Sequence, residues 1–452
     1  MRPPRVPVIF VLLLGLLPAL VHAAEVTDLK DAFDGKTRWS AGLEVSYVRT
    51  QRWAKISRER SCDPNNAQDK ANCPNMAMFI DTRDLTFSQV DHAMMIRARL
   101  GLAPDLELTV TLPYVFSSTR SGGLADGVVG ACQSDGSATA ETNSGIVKDG
   151  VFTGGRSRPP SDKDEYSVYG VDSFGTALGG RPCLGGKSGV PYSSTRGGIG
   201  DLIVGIGWAP VNQDRDTVKS TWVLGLDFIF PTGTPMDPTP TAVALGNFSP
   251  RNQEVGKGLF AFRWYTTFAH RVHPNVEPYA GLDFEMAFAG RGNFYRQIAK
   301  TQDTTAPPVV AGTMAGIEFY PWWDRDKARK FSIDVRLRMT YVGEGRAYSE
   351  VADFLGRMTT VEQYMTLGGS LSMYLQPVKN FQIRVVGGIE YQFDHFLTFG
   401  DRGKDLDGNQ RIDPQLGEKS PTFDDNTDKP GSRLRILDSI VFSLMFTLVG
   451  QF

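Results

Sequence analysis

Beyond residue 23 the chain has no run of 18 or more apolar residues, which excludes membrane-spanning helices. It has no dominant charge. Lys and Arg number 48 against 50 Asp and Glu, a formal net charge of −2, and this argues against a nucleic-acid partner. Histidines number 5 and cysteines 4 in 452 residues. No histidine neighbours a cysteine, and no two cysteines have compact CxxC spacing, which removes a structural zinc site. There is no GxSxG and no HExxH. The glycine-rich stretch 198–207 is not followed by Lys-Ser/Thr, so it is not a phosphate loop.

What the chain does have begins at its ends. Arg2 and Arg5 precede an apolar run from Val8 to Val21, and Val21-His22-Ala23 suits a secretory cleavage site. The run is shorter than the roughly 20 residues a spanning helix needs. The expectation is a signal peptide over 1–23 and one exported domain over 24–452. The last stretch alternates Ile440, Phe442, Leu444, Phe446, Leu448, Gly450 and Phe452 against Ser443, Thr447 and Gln451. A period of two ending on an aromatic residue resembles the carboxy-terminal signal read by the outer-membrane barrel-assembly machinery, with Phe452 as its last residue.

Alternation recurs throughout, as a transmembrane β-barrel requires. Strands are expected at about Arg38–Thr50, Phe87–Leu102, Leu106–Ser117, Gly198–Ala209, Lys219–Phe230, Leu259–His270, Val276–Phe288, Val309–Tyr320, Phe331–Tyr341, Tyr364–Leu375, Phe381–Phe393 and from Leu434 onward. Short connections lie near 103–105, 211–218, 271–275, 321–330 and 376–380. Long ones lie near 51–86, 118–197, 231–258, 289–308, 342–363 and 394–433. The pattern predicts an all-β, antiparallel, up-and-down barrel of about twelve strands, fourteen being the alternative. Short turns would face the periplasm and long loops the exterior, in the bacterial outer membrane. His92 falls on the lipid-facing parity, and the strand at 309–320 is weakened by Gly312 and Gly316. Aromatics near strand ends (Trp39, Tyr114, Trp208, Phe230, Tyr320, Trp322, Trp323, Tyr341) suit interfacial girdles.

The inward parity carries mixed charge: Glu44, Asp91, Asp227, Asp283, Glu285, Asp334 and Glu390 against Arg97, Arg99, Arg263, Arg336, Arg338 and Arg384. These fit either a hydrated pore or an interior filled by Arg–carboxylate pairs, because twelve strands lie between a filled eight-stranded barrel and an open sixteen-stranded one. Export permits disulfides, and cysteines sharing a loop pair most simply as Cys62–Cys73 and Cys132–Cys183. Asp405, Asp407, Asn409, Arg411 (through its carbonyl) and Asp413 have the spacing of the first nine positions of a calcium loop. Gln410 replaces the turn glycine there, Leu416 replaces the bidentate Glu, and Glu418 comes two residues late. If the barrel were a lipid hydrolase, His92 or His395 would be its base; His270 and His273 flank a turn at the other end.

Gly198-Ile199-Gly200-Asp201, followed by a strand ending in Pro231-Thr232-Gly233, resembles the outer-membrane barrel family named for the meta-pathway of phenol degradation, most clearly over 198–290. The resemblance implies barrel architecture and a transporter or channel role with small, hydrophobic or aromatic cargo. A structural or surface-binding barrel with a filled lumen is the alternative, and a lipid hydrolase the third. Lipid is the expected surrounding partner.

Overall fold

The computed structural model describes residues 40–62, 79–125, 192–213, 218–236, 254–289, 307–324, 327–355, 358–400 and 427–452, with shorter pieces between them. The elements in chain order are β1 (Ala41–Ser61), β2 (Phe79–Ala103), β3 (Leu106–Leu124), β4 (Tyr192–Ile199), β5 (Leu202–Val211), β6 (Ser220–Phe230), β7 (Thr234–Pro235), β8 (Arg251–Asn252) and β9 (Glu254–Gly256). Then come β10 (Leu259–His270), β11 (Val276–Ala289), β12 (Val310–Asp324), β13 (Arg329–Val342), β14 (Gly345–Ala347), a single turn of helix α1 (Ala352–Leu355), β15 (Thr359–Val361), β16 (Tyr364–Val378), β17 (Phe381–Gln392), β18 (His395–Phe396) and β19 (Leu434–Gln451). Among the described residues no helix is long and apolar enough to cross a membrane.

The long strands form one closed antiparallel barrel. Its ring runs β1, β2, β3, β4 with β5, β6, β10, β11, β12, β13, β16, β17 and β19. Closure is made by β1 against β19, in continuous register from Gly42↔Gln451 to Trp53↔Ile440. β4 and β5 occupy one position in the ring, so there are twelve spanning positions. Closure leaves no sheet edge in the wall, and every wall strand has a partner on each side.

The alternation of residue types sets the faces. Leu337, Met339 and Tyr341 of β13 are exposed on the outer side, whereas Ser332 and Asp334 are buried inside. On β19, Phe442, Leu444, Phe446 and Leu448 are exposed outward, while Thr447 and Val449 are buried. The buried face of this fold is thus polar and the exposed one apolar, the inverse of a soluble protein and the arrangement of a barrel surrounded by lipid.

Several expected boundaries change. β1 and β2 continue far beyond 50 and 87, with Ser61 still paired to Phe79, so most of the expected 51–86 loop is strand. The strand expected at 198–209 starts at Tyr192 and breaks at Gly200-Asp201. A Cβ on Gly200 would meet the Pro113 side chain at 2.9 Å. The Asp201 carboxylate accepts the backbone N–H of Gly233 (3.0 Å) and of Lys257 (2.8 Å). The Thr232 hydroxyl accepts the N–H of Leu202 at 2.9 Å. The two short motifs therefore meet in space, where they pin the loop carrying β7 and β9 to the break in the wall.

Tyr320 and Trp323 do not belong to an outer girdle. Tyr320 shares the inward parity of Gly316 and Glu318 and is 1% exposed, with Arg271 over its ring and that of Trp323; the register shift between Phe319 and Trp322 turns Trp322 outward. Tyr114, Trp208, Phe230, Trp322 and Tyr341 are exposed outside. Trp39 lies outside the described residues.

The glycines of β12 also have a structural reason. A Cβ on Gly316 would stand 2.4 Å from the ring of Tyr279, its cross-strand partner. Gly225 lies in the same way under Tyr265. These inward glycines let a neighbour's large side chain lie flat along the wall.

Candidate functional site

The interior has three zones. At the short-turn end the charges are tied from wall strand to wall strand. Arg99 on β2 donates to Glu107 on β3 (2.8 and 3.0 Å) and to Glu44 on β1 (3.1 Å). Arg384 on β17 reaches the same Glu44 oxygen at 3.5 Å, and Ser46 bonds Thr447 of β19 at 2.8 Å. Five consecutive strands are thereby laced from within. On the other side of the ring Arg271 pairs with the fully buried Glu277, which also accepts from Gln213 (3.0 Å) and Tyr320 (3.3 Å).

The middle zone is looser. Asp227 pairs with Arg263 at 2.5 Å, Asp334 with Arg336 at 3.0 Å and Asp283 with Arg338 at 2.8 Å. Tyr279 donates to Asp334 at 2.5 Å. Yet the side chains of Arg263 and Arg338 stay 37% and 42% exposed, against 6% for Arg99. Water reaches them. Asp91 accepts from Gln89 at 2.8 Å. Glu285 lies 4.0 Å from Lys257. Arg97 and Glu390 occupy the same inward parity on β2 and β17, each partly exposed.

The third zone, at the long-loop end, was invisible in the sequence. The segment between β13 and β16 is a loop in which β14 and β15 pair as a small ribbon with α1 between them. It is buried: Val351, Ala352 and Met358 are almost inaccessible. Its polar groups reach inward-facing arginines on distant strands. Arg52 of β1 pairs with Glu350 and also donates to Gln392. Arg120 of β3 donates to the Ser349 carbonyl at 3.3 Å and lies 3.6 Å from Asp353. Arg196 of β4 grips Asp353 with two bonds, 2.5 and 3.0 Å, and Ser194 adds a third at 3.0 Å. Tyr348 donates to Asp353, and the guanidinium groups of Arg120 and Arg196 lie 4.9 and 5.3 Å from its ring. Met358 packs on Leu259 of β10.

Topology decides where this loop lies. In a ring of twelve, β13 and β3 are six positions apart, on opposite walls. A loop leaving β13 can touch inward residues of β3 and β4 only by crossing the barrel mouth. It spans the opening and is clamped at three points. A second layer covers it: Phe396 donates to Glu362 at 3.0 Å, Phe399 donates to the Thr360 carbonyl at 2.7 Å, and His395 stacks on Tyr364 at 3.8 Å.

The loop's electrostatics match. Burial raises the Asp353 pKa, but the Arg196 hydrogen bond and the charges of Arg120 and Arg196 outweigh it and hold the carboxyl down to about 2. Burial likewise opposes ionisation of Glu350, and the Arg52 charge overcomes it. Burial lowers the His395 pKa, against the opposing pull of the Phe393 carbonyl that accepts from its ring.

The two histidines singled out as possible bases have other roles. His92 is on the outer wall, sharing a 2.7 Å hydrogen bond between Nδ1 and the Tyr47 hydroxyl. His395 is 2% exposed, beneath the loops. Among the described residues neither is hydrogen-bonded to a serine, threonine or cysteine. Ser220 does bond His270 at 2.8 Å, at the short-turn end. In the 405–413 loop, Asp405 lies outside the described residues. Asp407 accepts the N–H of Asn409 (3.0 Å), and Asn409 accepts that of Arg411 (2.7 Å). Asp413 donates its N–H to Glu418, which also accepts from Leu406 and Asp407, so the carboxylate of Glu418 closes the loop on its own backbone. Among the described residues no group of three His, Cys, Asp or Glu could hold a metal. Of the cysteines, Cys73, Cys132 and Cys183 lie outside the described residues, and so do both expected pairings. Cys62 directly follows β1, and no described cysteine is free.

No family model matches the chain, and no curated protein matches it either. Among solved structures it is similar to an outer membrane channel from Pseudomonas putida F1, at 9% identity and TM-score 0.41, over 96% of this chain and 100% of that one. It is also similar to a Pseudomonas aeruginosa FadL homologue (9% identity, TM-score 0.30, 92% and 90% covered). A third is the outer membrane protease OmpT from Escherichia coli (7% identity, TM-score 0.27, 92% and 96% covered). At these identities and TM-scores the likenesses carry no functional argument.

Proposed function

We propose that the protein is a bacterial outer-membrane channel for small hydrated solutes, charged or zwitterionic, whose outer mouth is closed by the loop 343–363. One observation carries this reading. The loop's two carboxylates cross the mouth to arginines of β1, β3 and β4, while the arginines of the middle zone keep water at their surface. A barrel evolved only as a filled wall needs no such clamp above a hydrated zone. The inner wall offers guanidinium, carboxylate and hydroxyl groups, which favours polar cargo over the hydrocarbons implied by the family resemblance. Opposed Arg–carboxylate rows orient a dipolar solute, as charged rings do in other pores.

In this reading the apolar outer face meets lipid, the short turns face the periplasm and the loop faces the exterior. Phe452, 79% exposed after β19, would be the residue read by the assembly machinery. Disulfides Cys62–Cys73 and Cys132–Cys183 would brace the outer loops. Planar-bilayer recording of the refolded chain tests the proposal. Rare or small steps are expected from the wild type, and large stable steps when Glu350→Gln and Asp353→Asn are combined. A double variant that is folded, judged by heat-modifiable gel mobility, yet silent would establish the filled-barrel alternative instead.

A further inference from the structure

The outer face of β1 carries a cation that the fold does not use. Arg49 sits on the same parity as the exposed Leu43, Tyr47 and Trp53 and is itself exposed. Its register partners are Leu444 on β19 and His92 on β2. The residues around these are Phe442, Phe446, Met94 and Val90, all on the outward parity. No carboxylate belongs to this group, and Arg49 has no hydrogen-bond or ion-pair partner among the described residues. Every inward arginine discussed above has an acidic partner or lies beside one. An unpaired guanidinium on a lipid-facing wall is costly unless it meets an anion at the lipid surface.

The surroundings say which anion. Arg49 lies four residues, roughly 13 Å along the strand, below Trp53, within reach of the headgroup boundary if the side chain turns upward. Gln51 stands between them on the same face, and Tyr47 with its bonded partner His92 lies on the other side. Directly above is an open groove of about 420 Å³ lined by Trp53, Lys55, Thr86, Ser88, Ser121 and Asp438. Lys55 and Arg83 converge on Asp438 there, at 2.6 and 4.0 Å, and the Asp394 carboxylate accepts the Asp438 N–H at 3.3 Å, so the charges at this rim balance and Arg49 is the unpaired one. An exposed indole beside three hydroxyl groups is suited to a sugar ring, and guanidinium forks suit phosphate.

We propose that the outer face of β1, β2 and β19 binds a phosphorylated glycolipid of the outer leaflet. Arg49 holds a phosphate, the groove above it takes the sugar, and the acyl chains lie along Leu444, Phe446 and Met94. A simple phospholipid would satisfy Arg49 but leave the groove empty, so the glycolipid is favoured. The inference rests on the outer face being lipid-facing in an outer membrane, as proposed above, and not on conduction through the lumen.

Native mass spectrometry of the full refolded chain, loaded with diphosphoryl lipid A, dephosphorylated lipid A or phosphatidylglycerol, tests it. One diphosphoryl lipid A is expected to stay bound per chain. At least tenfold less is expected with Arg49→Gln and with dephosphorylated lipid, partial recovery with Arg49→Lys, and weakened retention with Trp53→Ala. Heat-modifiable mobility confirms that each variant is folded. Equal retention by Arg49→Gln, or phosphatidylglycerol held as firmly as diphosphoryl lipid A, would overturn the inference. Bilayer conductance of the same Arg49→Gln protein is expected to be unchanged, so loss of lipid binding and failure of the channel reading are separate results.

Discussion

The two ends of the barrel interior put the same chemistry to different use. At the short-turn end, Arg99, Glu44, Glu107 and Arg384 all sit on wall strands; Arg99 joins neighbours that are already hydrogen-bonded, and Arg384 reaches Glu44 across the one intervening strand β19. At the long-loop end, the acids sit on a loop and the bases on the wall, with partners from opposite sides of the ring. A pair within the wall cannot open without opening the barrel. A pair between wall and loop can release the loop and leave the barrel intact. The first is architecture; the second, in the proposed reading, is a latch.

The strongest way to break this comparison is to cut the latch. Asp353→Ala leaves Arg196 and Arg120 buried without their shared acid, a loss of about 3–5 kcal/mol for a broken buried pair. That shifts the loop between closed and open by over a hundredfold. Conductance should rise sharply while the thermal unfolding of the barrel changes little. A barrel that melts early without conducting would show that the loop is a structural member.

The converse variant is Arg99→Gln. It strands Glu107 in the wall and leaves Glu44 with only the longer contact to Arg384, at a similar cost of about 3–5 kcal/mol. Here the whole cost should appear as a lower unfolding temperature, with no gain in conductance. If this substitution opened the pore, the distinction between the two ends would collapse.

A smaller effect comes from packing. Gly316→Val drives a side chain into the ring of Tyr279 and should cost about 1–3 kcal/mol of barrel stability. Urea unfolding in bilayers reads it, and replacing Tyr279 with Ser in the same chain should recover part of the loss.

Acid should act on the latch in two stages. The lowered His395 pKa means its contribution is full above its ordinary value of 6.5 and is lost as pH falls through the lowered value. Asp353 contributes fully above 3.8 and loses its contribution as pH falls toward about 2. Conductance should therefore rise slightly in mild acid and steeply only below about pH 4. His395→Gln should abolish the first rise alone; a first rise surviving in that variant would assign it to another group.

Much of this was legible because a barrel wall obeys a period of two. The twelve positions, the antiparallel ring and the outward faces of β13 and β19 follow from alternation, since a one-residue slip would turn every charge toward lipid. The same logic failed at bulges. Tyr320 and Trp322 share one parity, yet the shift between Phe319 and Trp322 leaves Tyr320 inward beside Glu318 and turns Trp322 outward, and nothing in the local pattern marks it. The first hairpin was cut short because its outer face turns polar beyond Trp53, with Lys55, Thr86 and Ser88, and polar strand reads as loop. Gly312 and Gly316 looked like weakness, while their cross-strand partners show them as seats for Asp283 and Tyr279. His92 on the lipid parity looked like a flaw until Tyr47 supplied its hydrogen bond.

The latch was not legible at all. Glu350 and Asp353 lie in a short polar stretch like any exposed loop, and their partners are Arg52, Arg120 and Arg196, some 150 to 300 residues away. The sequence by itself determined the wall: which residues face lipid, which face inward, and where the chain turns, because hydrophobic transfer acts residue by residue along each strand. Only the tertiary structure decided what closes the lumen, because which loop crosses the mouth depends on which strands stand opposite each other, and that is a property of the closed ring.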